Sequence, residues 1–126
     1  MMTRLASLLL LLTAPAWAGW KAVDQNGAGA VYADPDTIVR RSDTAQMWWL
    51  LDYGAFQRMV EVGYFSQKTQ SEYDCANRRS RVLELSLRAD HMGEGKVIYS
   101  DESPHEWEPV DAGSISERLW ALACGR

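Results

Sequence analysis

Histidine, cysteine and proline are all scarce in this chain: two, two and four among 126 residues. With only His91 and His105, a histidine-built metal centre has too few ligands. His105 stands among Asp101, Glu102, Glu106 and Glu108, but His105-Glu106-Trp107-Glu108 lacks the second histidine of H-E-x-x-H. No serine sits in a G-x-S-x-G turn beside a base. Gly93-Glu94-Gly95 lacks the third glycine and the following helix of a phosphate loop. No carboxylate pair stands out as a glycosidase couple. No catalytic, cofactor-binding or metal-ligating residue is therefore assigned, and no cofactor is expected. Basic charge is short as well: 13 Lys plus Arg face 17 Asp plus Glu, for a net charge of −4. That balance argues against a nucleic-acid surface, which needs a basic footprint. Repeats and low-complexity tracts are missing, and one domain is all this length allows.

Long apolar runs are missing too, with one exception at the start. Met1 to Ala18 reads as a signal peptide. Arg4 is the positive end, Leu5 to Leu12 the apolar stretch, and Ala16-Trp17-Ala18 the small-x-small cleavage pattern. The stretch is too short to span a bilayer, and no later segment is apolar enough for a transmembrane helix. No cysteine follows the cleavage site, so a lipid anchor has no attachment atom. Residues 19–126 are then expected to be an exported domain that is not lipid-anchored. Without Arg4 its net charge becomes −5.

Export sets the reading of Cys75 and Cys124. In an oxidising compartment two cysteines default to one disulfide. A reactive or metal-binding thiol pair is the alternative, but neither a C-x-x-C spacing nor an adjacent histidine supports it.

Strand signals dominate. Trp20 to Val23 and Ala28 to Ala33 flank a turn at Asp24 to Gly27. Asp34-Pro35-Asp36 is expected to stop the second strand, and Asp36 to Arg41 to make one helical turn. Thr44 to Tyr53 is apolar on both faces, as a covered central strand requires: Met47, Trp49, Leu51 and Tyr53 against Trp48 and Leu50. Gly54 to Gln57 is expected to turn the chain. Arg58 to Ser66 alternates less cleanly, and Lys68 to Tyr73 reads as an exposed end or edge. Arg81 to Arg88 alternates with period two, the sign of a half-buried antiparallel strand. Asp90 to Gly95 is a loop, Lys96 to Ser100 a short strand, and Asp101 to Pro109 irregular with Trp107 as its anchor.

The period then changes. Ser114 and Glu117 form a capping box. Ile115, Leu119, Leu122 and Ala123 recur at helical spacing, Trp120 widens that face, and Gly125 suits a C-cap. The fold expected is α+β: an antiparallel sheet of about six strands with one C-terminal helix of about eleven residues on one face. The disulfide would tether the helix to the sheet.

Five tryptophans follow the signal segment. Most fit core packing, since each buries a large area in a thin core. Trp48 is the candidate exception, because its neighbour Trp49 must point the other way. Arg78, Arg79, Arg81 and Arg88 form a basic cluster near Cys75. Its plain reading is a solvated sheet face, and its functional reading is docking of an acidic partner. Trp48, Arg78, Arg79 and Arg81 are the candidate partner-binding residues. A different possibility is a small apolar or haem-like ligand held by the aromatic face with His91 or His105.

The order of features resembles the bacterial surface-adhesin protein E-like family. The resemblance is carried by Val31-Tyr32-Ala33-Asp34-Pro35-Asp36-Thr37-Ile38, by Trp49 and Asp52, by Ser66 and Lys68, and by Glu72-Tyr73-Asp74-Cys75 with Arg78 and Arg81. It continues through Met92-Gly93-Glu94-Gly95, Trp107, Gly113-Ser114 and Cys124. Ala112 departs from the family's frequent proline. The resemblance implies a sheet of about six strands with a disulfide-tethered helix on its concave face. It implies no enzyme activity, but binding of a protein partner, a host matrix or envelope protein, and a possible homodimer.

Overall fold

The computed structural model describes residues 19–126, so the expected signal peptide lies outside the described residues. Eight elements follow in order: β1 (Lys21–Asn26), β2 (Gly29–Arg41), β3 (Thr44–Met59), β4 (Val62–Asp74), β5 (Arg79–Arg88), β6 (Val97–Asp101), β7 (Glu108–Pro109) and α1 (Ile115–Cys124). One antiparallel sheet runs β1-β2-β3-β4-β5-β6, with the two-residue β7 on the opposite end of β5 from β6. Helix α1 packs on the sheet, and Cys75 is bonded to Cys124. The α+β architecture is the one expected. Among the described residues no helix is long and apolar enough to cross a membrane.

Strand β3 shows why both its faces are apolar. Met47 and Leu50 are each fully buried, on opposite faces. Met47 joins Val31, Ala33, Ala45, Tyr73, Leu119, Trp120 and Ala123 in the core beneath α1. Leu50 is covered instead by the short 3₁₀ turn His91–Gly93, where a Cβ on Gly93 would meet Leu50 Cδ1 at 3.3 Å.

Three local expectations are corrected. Asp36 to Arg41 is strand, not a helical turn, and Pro35 does not end β2. The register breaks between Asp34 and Val39, so residues 35–38 bow out of the ladder. Proline is tolerated in such an excursion because no ladder N–H is needed there. Thr37 Oγ1 fills the gap: it donates to the Asp34 carbonyl at 2.6 Å and accepts from Trp48 N at 3.0 Å. Gly54 to Gln57 does not reverse the chain either. It is an irregularity within β3, braced by Gly54 N donating to the Ala28 carbonyl. The reversal comes later, at Val60 and Glu61. Finally, Lys68 to Tyr73 is no edge, since each of these residues is paired with both β3 and β5. Lys68, Gln70 and Glu72 lie on the face away from α1, while buried Thr69 and Ser71 accept from Gln67 Nε2 and Trp49 Nε1.

Helix α1 starts and stops by local chemistry. Ser114 Oγ accepts from Glu117 N at 3.1 Å, and Glu117 Oε1 accepts from Gly113 N at 3.2 Å. That main-chain donor, and then Arg78, hold the Glu117 carboxyl below its ordinary pKa. At the other end Gly125 takes φ 70°, and Arg126 N closes back onto the Ala121 carbonyl. Arg40 Nε donates to the Ala123 carbonyl at 3.0 Å. The apolar face is rotated from the expected one: Trp120 is buried while Leu122 is 36% exposed. The Cys75–Cys124 bond and Trp120, rather than Leu122, orient the helix.

Candidate functional site

Residues alternate across a strand, so the register sorts the candidate residues by face. Trp49, Thr69 and Leu85 lie in line on the α1 side, and Trp48, Gln70 and Glu84 on the other. Trp48 is therefore on the open face, half-buried, with the Lys68 ammonium 5.1 Å from its ring centroid. Beside it a cleft of about 200 Å³ is bordered by Glu84, Ser86, Arg88, Ser100 and Glu102.

Arg79 and Arg81 occupy one end of this same face. Arg79 pairs with Asp74 at 2.7 Å, and Arg81 with Glu72 at 2.7 Å. Both guanidiniums stack on Trp107, at 5.2 and 4.6 Å from its ring. The arginine hydrogen bond is the main reason the Asp74 carboxyl is held at about 2, with further bonds from Asn77, opposed in part by burial. Arg78 goes elsewhere. It sits in the β4–β5 turn at φ 50°, pairs with Glu117 and lies 4.7 Å over the Trp120 ring. The structure thus gathers Trp48, Arg79 and Arg81 on one surface and turns Arg78 around its end toward the helix. Each of the three arginines is ion-paired within the chain, which spacing along the sequence could not show.

The two histidines are also paired with carboxylates. His91 Nδ1 lies 3.2 Å from both Asp52 oxygens, and His105 Nε2 lies 3.0 Å from Asp101 Oδ2. Among the described residues no group of three or more His, Cys, Asp or Glu is placed to hold a metal.

Two features escaped the sequence reading. The first is a clamp holding the 3₁₀ turn onto the open face. Asp52 Oδ1 accepts from Met92 N at 2.7 Å, and Ser66 Oγ donates to the Asp90 carbonyl while accepting from Gly93 N. The second is apolar surface at the β3–β4 hairpin tip and on β6. Phe56, Val60, Val62, Val97 and Tyr99 are all exposed, and Val60 is 89% exposed. The run Met59-Val60-Glu61-Val62 held the signal for this tip, but a turn placed at Gly54 hid it.

A family model for surface-adhesin protein E matches residues 20–125. The chain belongs to the surface-adhesin protein E family. The match takes in nearly every described residue, including Cys75, Cys124 and the Asp52–Ser66 clamp. Two solved structures of Haemophilus influenzae protein E share the fold. One superposes with a TM-score of 0.70 at 11% identity, over 86% of this chain and 88% of the other. A structure of protein E from non-typeable H. influenzae gives 0.68, again at 11% identity, over 86% of this chain and 76% of the other. At that identity the likeness is one of fold. No curated protein matches the chain.

Proposed function

We propose that residues 19–126 form a small exported, non-catalytic binding module, periplasmic or surface-associated, that docks a protein partner such as a host matrix or envelope protein. The docking surface is the sheet face that α1 leaves open. Trp48 is its centre, Arg79 and Arg81 with Trp107 its flank, and Arg78 its margin. The observation that carries this reading is the half-buried Trp48 among the polar neighbours Lys68, Gln70 and Glu84, on the face opposite α1. Tryptophan and arginine are the side chains that most often dominate binding energy at protein interfaces. The paired arginines favour orientation over raw attraction, because their charge is already balanced by Glu72 and Asp74.

The test is surface plasmon resonance of the full mature chain over immobilised extracellular-matrix glycoproteins. Retention of the wild type, weakened about tenfold or more by Trp48→Ala, is the expected result. No retention on any matrix surface, with the tagged protein confined to the periplasmic fraction, would remove the matrix-binding reading.

A further inference from the structure

We propose that the tip of the β3–β4 hairpin docks on a lipid surface of zwitterionic headgroups, with Phe56, Met59, Val60 and Val62 entering the boundary between headgroups and acyl chains. The tip lies at the end of the sheet, well along β3 from Trp48. The inference therefore stands apart from the partner-docking reading.

Shape is the first reason. The last pairs that tie the hairpin to its neighbours are Tyr53 with Gly29 and Ser66 with Arg88. Beyond them the ladder runs only across the hairpin, through Gln57–Tyr64, Arg58–Gly63 and Met59–Val62. Met59 and Val62 share one face. On the other the Phe56 ring fills the space that a Cβ on Gly63 would need. Phe56, Met59 and Val62 are exposed, and Val60 at the end is 89% exposed. A flat protein surface covers one face of such a projection. A lipid surface closes around both.

The second reason is Val60 itself. It holds φ 58°, where a β-branched residue is disfavoured and glycine is not. The fold gains nothing from an exposed side chain kept in that conformation, so its use lies outside the chain.

Layering and charge then select the occupant. Tyr64 stands two residues behind Val62, about 7 Å at the rise of a strand, with Tyr53 edge-on to it at 5.7 Å. Tyr99, on β6, shares a groove of about 170 Å³ with Met59, Val60, Val62 and Ile98. Aliphatic side chains in front of tyrosines match the depth profile of a bilayer surface, where phenols sit at headgroup level and apolar groups go about 5–10 Å deep. Arg58, opposite Gly63, has a stem long enough to keep its charge in the headgroups. Residues 54–65 carry only Arg58 and Glu61 as charges, so the tip is neutral on a domain of net charge −5. An acidic leaflet would repel that body, which leaves neutral headgroups as the match.

Co-sedimentation of the mature chain with sucrose-loaded vesicles of phosphatidylcholine and phosphatidylethanolamine tests this. Binding that rises with lipid and persists at raised salt is expected. Val60→Gly should weaken it about tenfold with the thermal midpoint kept or raised. Val62→Ser should weaken it with an unchanged circular dichroism spectrum. Trp48→Ala should bind vesicles as the wild type does, which separates the tip from the docking face. The proposal is overturned if these vesicles pellet no protein, or if pelleting needs added phosphatidylglycerol and is lost at raised salt. It is equally overturned if Val60→Gly and Val62→Ser both bind as the wild type does. A dimer in analytical ultracentrifugation that Val60→Gly dissociates would also overturn it, by making a second copy the occupant.

Discussion

The indole nitrogen of Trp120 donates a 2.8 Å hydrogen bond to the main-chain carbonyl of Asp74. The next residue, Cys75, is bonded to Cys124, one helical turn beyond Trp120. A directional polar contact and a covalent link thus anchor α1 at the same end of β4, and the helix has little freedom to slide or roll. Trp120→Phe keeps most of the packing but orphans a buried carbonyl. It should cost about 1–3 kcal/mol, read as a lower urea midpoint with an unchanged m-value.

The disulfide closes a loop with a sequence separation of 49. Loop-closure entropy for that length is about 4 kcal/mol, so the Cys75→Ala/Cys124→Ala variant should lose roughly that much. Paired urea titrations of the oxidised wild type and the variant measure it. A loss under about 1 kcal/mol would show that the unfolded chain is already constrained.

Acid should unfold the protein partly through Asp74. Its folded pKa of about 2 lies below its ordinary value of 3.8. The folded state therefore holds fewer protons there than the unfolded state does, and the stabilisation is complete above about pH 5 and fades as pH falls toward 2. Asp74→Asn should be less stable than the wild type at neutral pH and converge on it near about pH 2. Urea midpoints across that range test this; parallel curves would mean that Asp74 is not the group responsible.

The Ser66 hydroxyl, fully buried, joins two backbone groups of the 90s segment. Ser66→Ala should cost about 1–3 kcal/mol and speed amide exchange at Gly93 far more than at Met47. Uniform acceleration across the sheet would argue against a local clamp.

Val60 has φ 58° at the hairpin tip, a conformation unfavourable for a β-branched residue. Val60→Gly should therefore stabilise the fold by about 1 kcal/mol. A destabilised glycine variant would mean that the valine side chain makes contacts that outweigh the backbone strain.

Much of this was legible in sequence where the deciding interaction is short-ranged. The Ser114–Glu117 box spans one turn, the αL glycine at 125 acts on its own backbone, and the alternation of Arg81 to Arg88 needs no partner to be seen. The two-faced grease of Met47 and Leu50 likewise announced a strand covered twice. Failures cluster where a distant residue decides. Asp34-Pro35-Asp36 ends a strand unless a Thr37 hydroxyl takes over a ladder position opposite Trp48. Lys68 to Tyr73 looks like an edge unless β5 returns to pair with it.

The sequence by itself therefore determined the antiparallel strands with one C-terminal helix, the helix ends, the two cysteines as partners and the family. Only the tertiary structure decided what the candidate residues face. Arg79 and Arg81 became a paired stack on Trp107, Arg78 turned to the helix, and Tyr73 was buried in the core beneath α1. The physical reason is that local patterns specify which way a side chain points from its own strand. Strand register, set by pairing between segments far apart in sequence, specifies what it meets there.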